Sequence, residues 1–143
     1  MSIETYGMVE VTVKENSNVL FLDDSPLRIK KFKSKIPFAI TVETAKDCIE
    51  ELRAGIWQSC WLDHDLGGEI HVDSNREDSG MEVVRWIEEN KPKVDSFVIH
   101  SLNIVAAKQM EEKLKKCGYH VVSIPFICLN LKVESVKNTG KIT

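Results

Sequence analysis

Between residues 18 and 125 the chain repeats one arrangement: a short apolar run, then a longer segment with apolar residues at helical spacing. The runs NVLFL (18–22), FAITV (38–42), SCWL (59–62), SFVIH (96–100) and HVVSI (120–124) predict five buried strands. The segments between them predict four helices, with buried faces at Ile29, Phe32 and Ile36; Ala45, Cys48, Ile49 and Leu52; Val83, Val84 and Ile87; and Ala106, Met110, Leu114 and Cys117. Punctuation agrees with this reading. Ser25 before Pro26 is a helix start, and Pro37 ends that segment. Thr44 with Asp47, and Ser79 with Glu82, predict capping boxes, Asn103 predicts a cap, and Gly55 and Gly118 close helices. Strands alternating with helices predict an α/β fold, a doubly wound five-stranded parallel sheet covered on both faces.

Two further runs, MVEVTV (8–13) and ICLNLKV (127–133), alternate in strand fashion outside that core. They are expected either to pair with each other as an added ribbon or to extend the sheet across a homodimer. Residues 137–143 read as a mobile tail. The length of 143 residues suits a single domain, 1–143, with its core at about 18–125 and terminal extensions on either side.

Composition narrows the function classes. Hydrophobic residues make up 43% and charged residues 29%, as in ordinary globular proteins, and the net charge of −3 excludes generic charge-driven binding to nucleic acid or membrane. No apolar run approaches the roughly 18 residues of a membrane span, and no signal peptide is evident. Cys48, Cys60, Cys117 and Cys128 stand singly, without metal-ligand spacing, so they read as reduced residues of a cytoplasmic protein.

Ligands of open parallel sheets bind at the carboxyl ends of the strands. Collecting the polar residues there gives Asp23 and Asp24 from the first strand, Asp63, His64 and Asp65 from the third, and His100, Ser101 and Asn103 from the fourth. Crowded carboxylates repel unless a cation or a proton intervenes. An oxygen-only ligand set suits Mg²⁺ or Mn²⁺, ions that also hold phosphate oxygens. The residues therefore predict a hard-cation site that accepts a phosphorylated ligand.

This order of residues resembles the receiver domain of response regulators over about residues 18–125. The resemblance implies a receiver/flavodoxin-like fold, with Asp23 and Asp24 as the acidic pair, Asp63 as phosphoacceptor, Asp65 giving a backbone carbonyl to the metal, and Ser101 at the hydroxyl position. Receivers carry a lysine before the last proline, whereas Ile124 precedes Pro125 here, and no fifth helix is evident. Two motifs depart from ordinary receivers, LDHDLGG (62–68) and HSLN (100–103). They resemble those of the cyclic-phosphate-processing receiver-like group. That resemblance implies hydrolysis of a cyclic phosphate, at an RNA 2′,3′-cyclic phosphate end or in a cyclic nucleotide.

The expected chemistry is a metal-dependent phosphoesterase. Asp23, Asp24, Asp63 and Asp65 would hold the cation, and Ser101 and Asn103 phosphate oxygens. His64 and His100 are candidates for general base and general acid, while water and Asp63 are alternative nucleophiles. A non-enzymatic module that binds metal and phosphate, and acts through a partner, is the rival. The polar insert after Gly67 is a candidate lid, with His71, Asp73 and Arg76 able to reach the site. The basic run RIKKFKSK (28–35) is either a solvated face or an oligonucleotide contact with Arg28 nearest the rim.

Overall fold

The computed structural model describes residues 8–66 and 72–136. Its elements in chain order are β1 (Val9–Lys14), β2 (Val19–Leu22), α1 (Pro26–Lys35), β3 (Ile40–Val42), α2 (Ala45–Ala54), β4 (Trp57–Leu62), α3 (Gly80–Asn90), β5 (Val94–Ile99), α4 (Ile104–Lys116), β6 (His120–Ser123) and β7 (Leu129–Glu134), with a 3₁₀ turn at Phe126–Cys128. Five strands form one sheet in the order β3-β2-β4-β5-β6, every neighbouring pair parallel. The order reverses at β2, which leaves a crevice outside the carboxyl ends of β2 and β4.

Alternation along the strands divides the core in two. Leu20, Leu22, Cys60, Leu62, Phe97 and Ile99 face a layer made by α2, α3 and α4. Val19, Phe21, Trp61 and Val98 face the other side, where Phe32 of α1, Ile36 just after it and Val13 of β1 cover them. Among the described residues, one helix lies on that second face. The rest of its cover is a two-stranded ribbon in which β1 pairs in parallel with β7, from Val9↔Leu129 to Lys14↔Glu134. The two terminal runs thus pair with each other within the chain, as the ribbon reading expected.

Local signals behave largely as the sequence predicts. Ser25 accepts from Arg28 N at 3.3 Å, Thr44 from Asp47 N at 3.1 Å and Asn103 from Ala106 N at 3.2 Å, each capping its helix. Gly118 follows α4 with φ +94°, a conformation that favours glycine. Three details differ. Phe38 lies in a turn, so the second predicted strand shrinks to Ile40–Val42. Ser79 makes no side-chain cap, because its buried hydroxyl donates instead to the carbonyls of Ser74 and Arg76. Leu129 begins the last strand two residues later than expected, after the 3₁₀ turn. Residues 67–71 of the candidate lid, with Gly67, Gly68 and His71, and the predicted tail at 137–143, lie outside the described residues.

Candidate functional site: an acidic rim and a buried polar knot

β2 ends directly in Asp23 and Asp24, and β4 in Asp63, so adjacent parallel strands bring three carboxylates to one crevice. One ligand oxygen from each lies within 4.8 Å of the others. Asp23 is fully buried and Asp63 nearly so. Such a set fits a divalent cation in both donor chemistry and proximity.

Part of the charge is already balanced from within the chain. Arg28 occupies the first turn of α1, where side chains lean back toward the helix start. Its Nε donates to Asp23 Oδ2 at 2.7 Å and its Nη2 to Oδ1 at 3.0 Å, a bidentate pair. The same Nη2 lies 3.6 Å from Asp63 Oδ2. The hydrogen bond to Asp23 holds the guanidinium above its ordinary pKa. The cation beside Asp63 therefore comes from α1, whereas the position before Pro125 holds a buried isoleucine. The role of Arg28 in the rim was not read from the sequence, though its place five residues after Asp23 in the first helical turn was available there.

Asp63 is held at the site by its own backbone surroundings. His64 N donates to its Oδ1 at 2.8 Å, and Gly80 N donates to His64 O at 2.8 Å. A Cβ on Gly80 would stand 1.9 Å from Asp63 O, so α3 begins on glycine because its backbone presses against the end of β4. Burial, with Asp23 nearby, pushes the Asp63 carboxyl from 3.8 up to about 7, against the opposing pull of Arg28.

The two predicted histidines do not face the crevice. His64 is fully buried and uses both ring nitrogens: Nδ1 lies 2.7 Å from Asp65 Oδ1 and Nε2 lies 2.9 Å from Ser74 Oγ. A carboxylate only accepts, so Nδ1 carries a proton, and Nε2 shares a hydrogen bond with the serine hydroxyl. Asp65 Oδ1 also accepts from Val72 N at 3.0 Å and from Asn103 Nδ2 at 3.2 Å. This knot joins the end of β4, the 72–79 segment and the cap of α4. The motifs LDHDLGG and HSLN thus meet in a hydrogen bond between Asp65 and Asn103.

His100 sits behind the rim, 1% exposed, stacked on Phe21 at 4.8 Å and edge-on to Phe126 at 5.9 Å. Its Nε2 is 3.1 Å from Leu22 O, a carbonyl that requires a donor, so Nε2 bears the proton. Nδ1 then presents a lone pair toward Asp23 Oδ2 at 3.7 Å and has no hydrogen-bond partner. Burial lowers the imidazole pKa to about 4, which keeps the ring neutral at neutral pH. Ser101 is buried and its Oγ accepts from Asn103 N at 3.0 Å. Of the predicted site residues, Asp23, Asp24 and Asp63 converge, whereas the side chains of His64, Asp65 and Asn103 bind one another. Arg76 pairs with Asp78 at 2.6 Å, and Asp73 accepts from Asn75 N at 2.8 Å.

A family model described as the cyclic-phosphate processing receiver domain matches residues 18–116. The chain belongs to that family. Its five-stranded parallel architecture is that of receiver domains in general. The signal receiver domain of a candidate Luxo repressor protein from Vibrio parahaemolyticus superposes with a TM-score of 0.55 at 19% identity, over 86% of this chain and 82% of that one. A response regulator from Colwellia psychrerythraea gives 0.52 at 16% identity, over 81% and 84%. These likenesses establish the fold alone. No curated protein matches the chain. Among the described residues of this receiver domain, no helix is long and apolar enough to cross a membrane.

Proposed function

We propose that this receiver domain is a divalent-cation-dependent phosphoesterase that opens a cyclic phosphate, either at an RNA 2′,3′-cyclic phosphate end or in a cyclic nucleotide. The observation that carries the reading is the convergence of Asp23, Asp24 and Asp63 in a family named for cyclic-phosphate processing. Asp23, Asp24 and Asp63 would hold Mg²⁺ or Mn²⁺, with the Asp65 backbone carbonyl as a further ligand by the receiver resemblance. The ion would supply charge neutralisation and polarisation of a phosphate oxygen.

The chain's own residues divide the remaining work. Asp63, nearly buried at the end of β4 beside Asp23 and Asp24, is the candidate general base or nucleophile. As general base it takes a proton from water; the water oxygen bonds to phosphorus, one ester P–O bond breaks, and the released hydroxyl gains a proton. As nucleophile its carboxylate oxygen bonds to phosphorus while one ring P–O ester bond breaks and the freed oxygen takes a proton from water; hydroxide or water then cleaves the acyl phosphate and restores the carboxylate. Ser101, at the rim end of β5, is the candidate hydroxyl for a phosphate oxygen. The buried imidazoles enter this reading as positioning residues rather than as acid and base: His64 fixes Asp65 and the loop, and His100 donates to Leu22 O at the end of β2, just ahead of Asp23. Asn103 likewise positions Asp65 and caps α4.

The burial of both imidazoles favours a second reading, a module that binds cation and phosphate without turnover and acts through a partner. A panel of RNA with 2′,3′-cyclic phosphate ends, cyclic mononucleotides and cyclic dinucleotides, assayed with Mg²⁺ and with Mn²⁺, separates the two. Turnover that falls about 100-fold or more in Asp63→Asn supports the enzyme. Cation-dependent binding of one compound with no turnover of any supports the module.

A further inference from the structure

A groove of about 450 Å³ runs beside the rim, between α1 and the segment from Phe126 to β7. Its first wall is cationic: Arg28, Lys31 and Lys35 stand three and four residues apart and so share one helix face, spanning about 10 Å at 1.5 Å per residue. Its other wall is apolar, built by Phe126, Ile127 and Leu131, with Ile127 64% exposed. Among the described residues, no carboxylate lines it. The groove is continuous with the rim at two points. Arg28 both lines the groove and binds Asp23, and Phe126 donates its N–H to His100 O at 3.0 Å while its ring packs on that histidine.

We infer that this groove is the track for the nucleotides that precede a terminal phosphate, so that the rim serves the end of a single-stranded RNA rather than a free cyclic nucleotide. The inference rests on the proposed reading of the rim as a phosphate-end site. Charge distribution carries it. A cyclic mononucleotide has one phosphate, which the rim takes, and leaves Lys31 and Lys35 with nothing to neutralise. An oligonucleotide brings one further phosphate per residue, which a stripe of cations leading away from the rim matches. The apolar wall opposite offers the faces on which bases stack, with Phe126 nearest the rim. With a net charge of −3 on the chain, Lys31 and Lys35, which pair with no carboxylate among the described residues, are a local exception rather than part of a general basic surface.

The test uses the full chain and RNA hexanucleotides that end in a 3′-phosphate, which cannot be turned over as cyclic esters. Binding is read by fluorescence anisotropy beside the corresponding 3′-mononucleotide. The hexanucleotide is expected to bind at least about tenfold more tightly, as added phosphate and stacking contacts imply. Lys31→Ala/Lys35→Ala is expected to remove most of that advantage and flatten the salt dependence by about 1.4 in log–log slope. Ile127→Asp, at an exposed position, places a carboxylate opposite the stripe and is expected to weaken the hexanucleotide selectively. Equal affinity of the two ligands, or a hexanucleotide advantage untouched by both variants, overturns the inference. A silent turnover panel with the lysine-dependent advantage intact defeats the hydrolase reading and leaves the track standing.

Discussion

Among the described residues stand two aspartate–histidine contacts, His64 with Asp65 and His100 with Asp23, built on opposite terms. In the first, a 2.7 Å hydrogen bond joins a ring whose other nitrogen is also engaged, and the carboxylate oxygen collects two further donors. In the second, the atoms stand 3.7 Å apart, the imidazole nitrogen has no partner, and the aspartate turns to an arginine instead. Fully satisfied buried networks fix geometry, whereas partly satisfied ones hold a cost that another species can relieve. The comparison therefore separates framework from site more sharply than residue type does.

The contrast is most exposed to Asp65→Ala. That change strips acceptors from the His64 ring, Val72 N and Asn103 Nδ2 together, and at about 1–3 kcal/mol per buried unsatisfied group it is expected to lower unfolding free energy by about 4 kcal/mol. Chemical denaturation measures it, and a loss under 1 kcal/mol would dissolve the distinction. Arg28→Met is next. It leaves Asp23 buried without its bidentate partner, a change that costs about 3–5 kcal/mol in fully buried pairs and is expected to cost about 2–3 here, where the guanidinium is a third exposed. Adding Mg²⁺ should restore more thermal stability to this variant than to the wild type, because the arginine no longer competes for Asp23.

Smaller effects follow from proton linkage. The folded-state pKa of Asp63, about 7, lies above the ordinary 3.8, so the stability it allows is full below about pH 4 and is lost as pH rises through 7. Without divalent cation, Asp63→Asn should therefore be more stable than wild type at pH 8, by about 2 kcal/mol, with the gain vanishing near pH 4. Equal melting curves across that range would refute the raised pKa. The smallest change is expected from His100→Phe, which keeps a flat ring between Phe21 and Phe126 but removes the donor to Leu22 O, and should cost about 1 kcal/mol at pH 7. Because the His100 pKa sits near 4, below its ordinary 6.5, the wild type loses stability as pH falls from 6.5 toward 4, and the variant should lose less. His64→Phe, by contrast, should cost several times more than His100→Phe.

The layered fold was legible because its central strands β2, β4 and β5 are largely buried and read as apolar runs, while Ser25, Thr44 and Asn103 mark helix starts by local chemistry alone. The convergence of Asp23, Asp24 and Asp63 followed from strand order, since residues at carboxyl ends of adjacent parallel strands must meet. Side-chain direction was less legible. His64 follows Asp63 at the strand end, and the backbone turn there, pressed by Gly80, sends its ring into the 72–79 segment. His100 points beneath the rim because Phe21 and Phe126 form a slot that takes a flat ring. Ser79 looked like a cap, yet the carbonyls of Ser74 and Arg76, brought near by a long loop, compete for its hydroxyl.

The β1–β7 ribbon has a consequence in time as well as in space. The pairs of the ribbon, from Val9↔Leu129 to Lys14↔Glu134, close the longest loop between paired strands among the described residues. Such a closure gains little until the intervening elements have condensed. The ribbon should then be the last part to dock and the first to open. In hydrogen exchange, the amides of β1 and β7 are expected to exchange by a sub-global opening, faster than those of β4 and β5. Since β7 forms one wall of the groove while the acidic rim hangs on β2 and β4, the protein can lose its track for a long ligand and still keep the pocket that meets the phosphate.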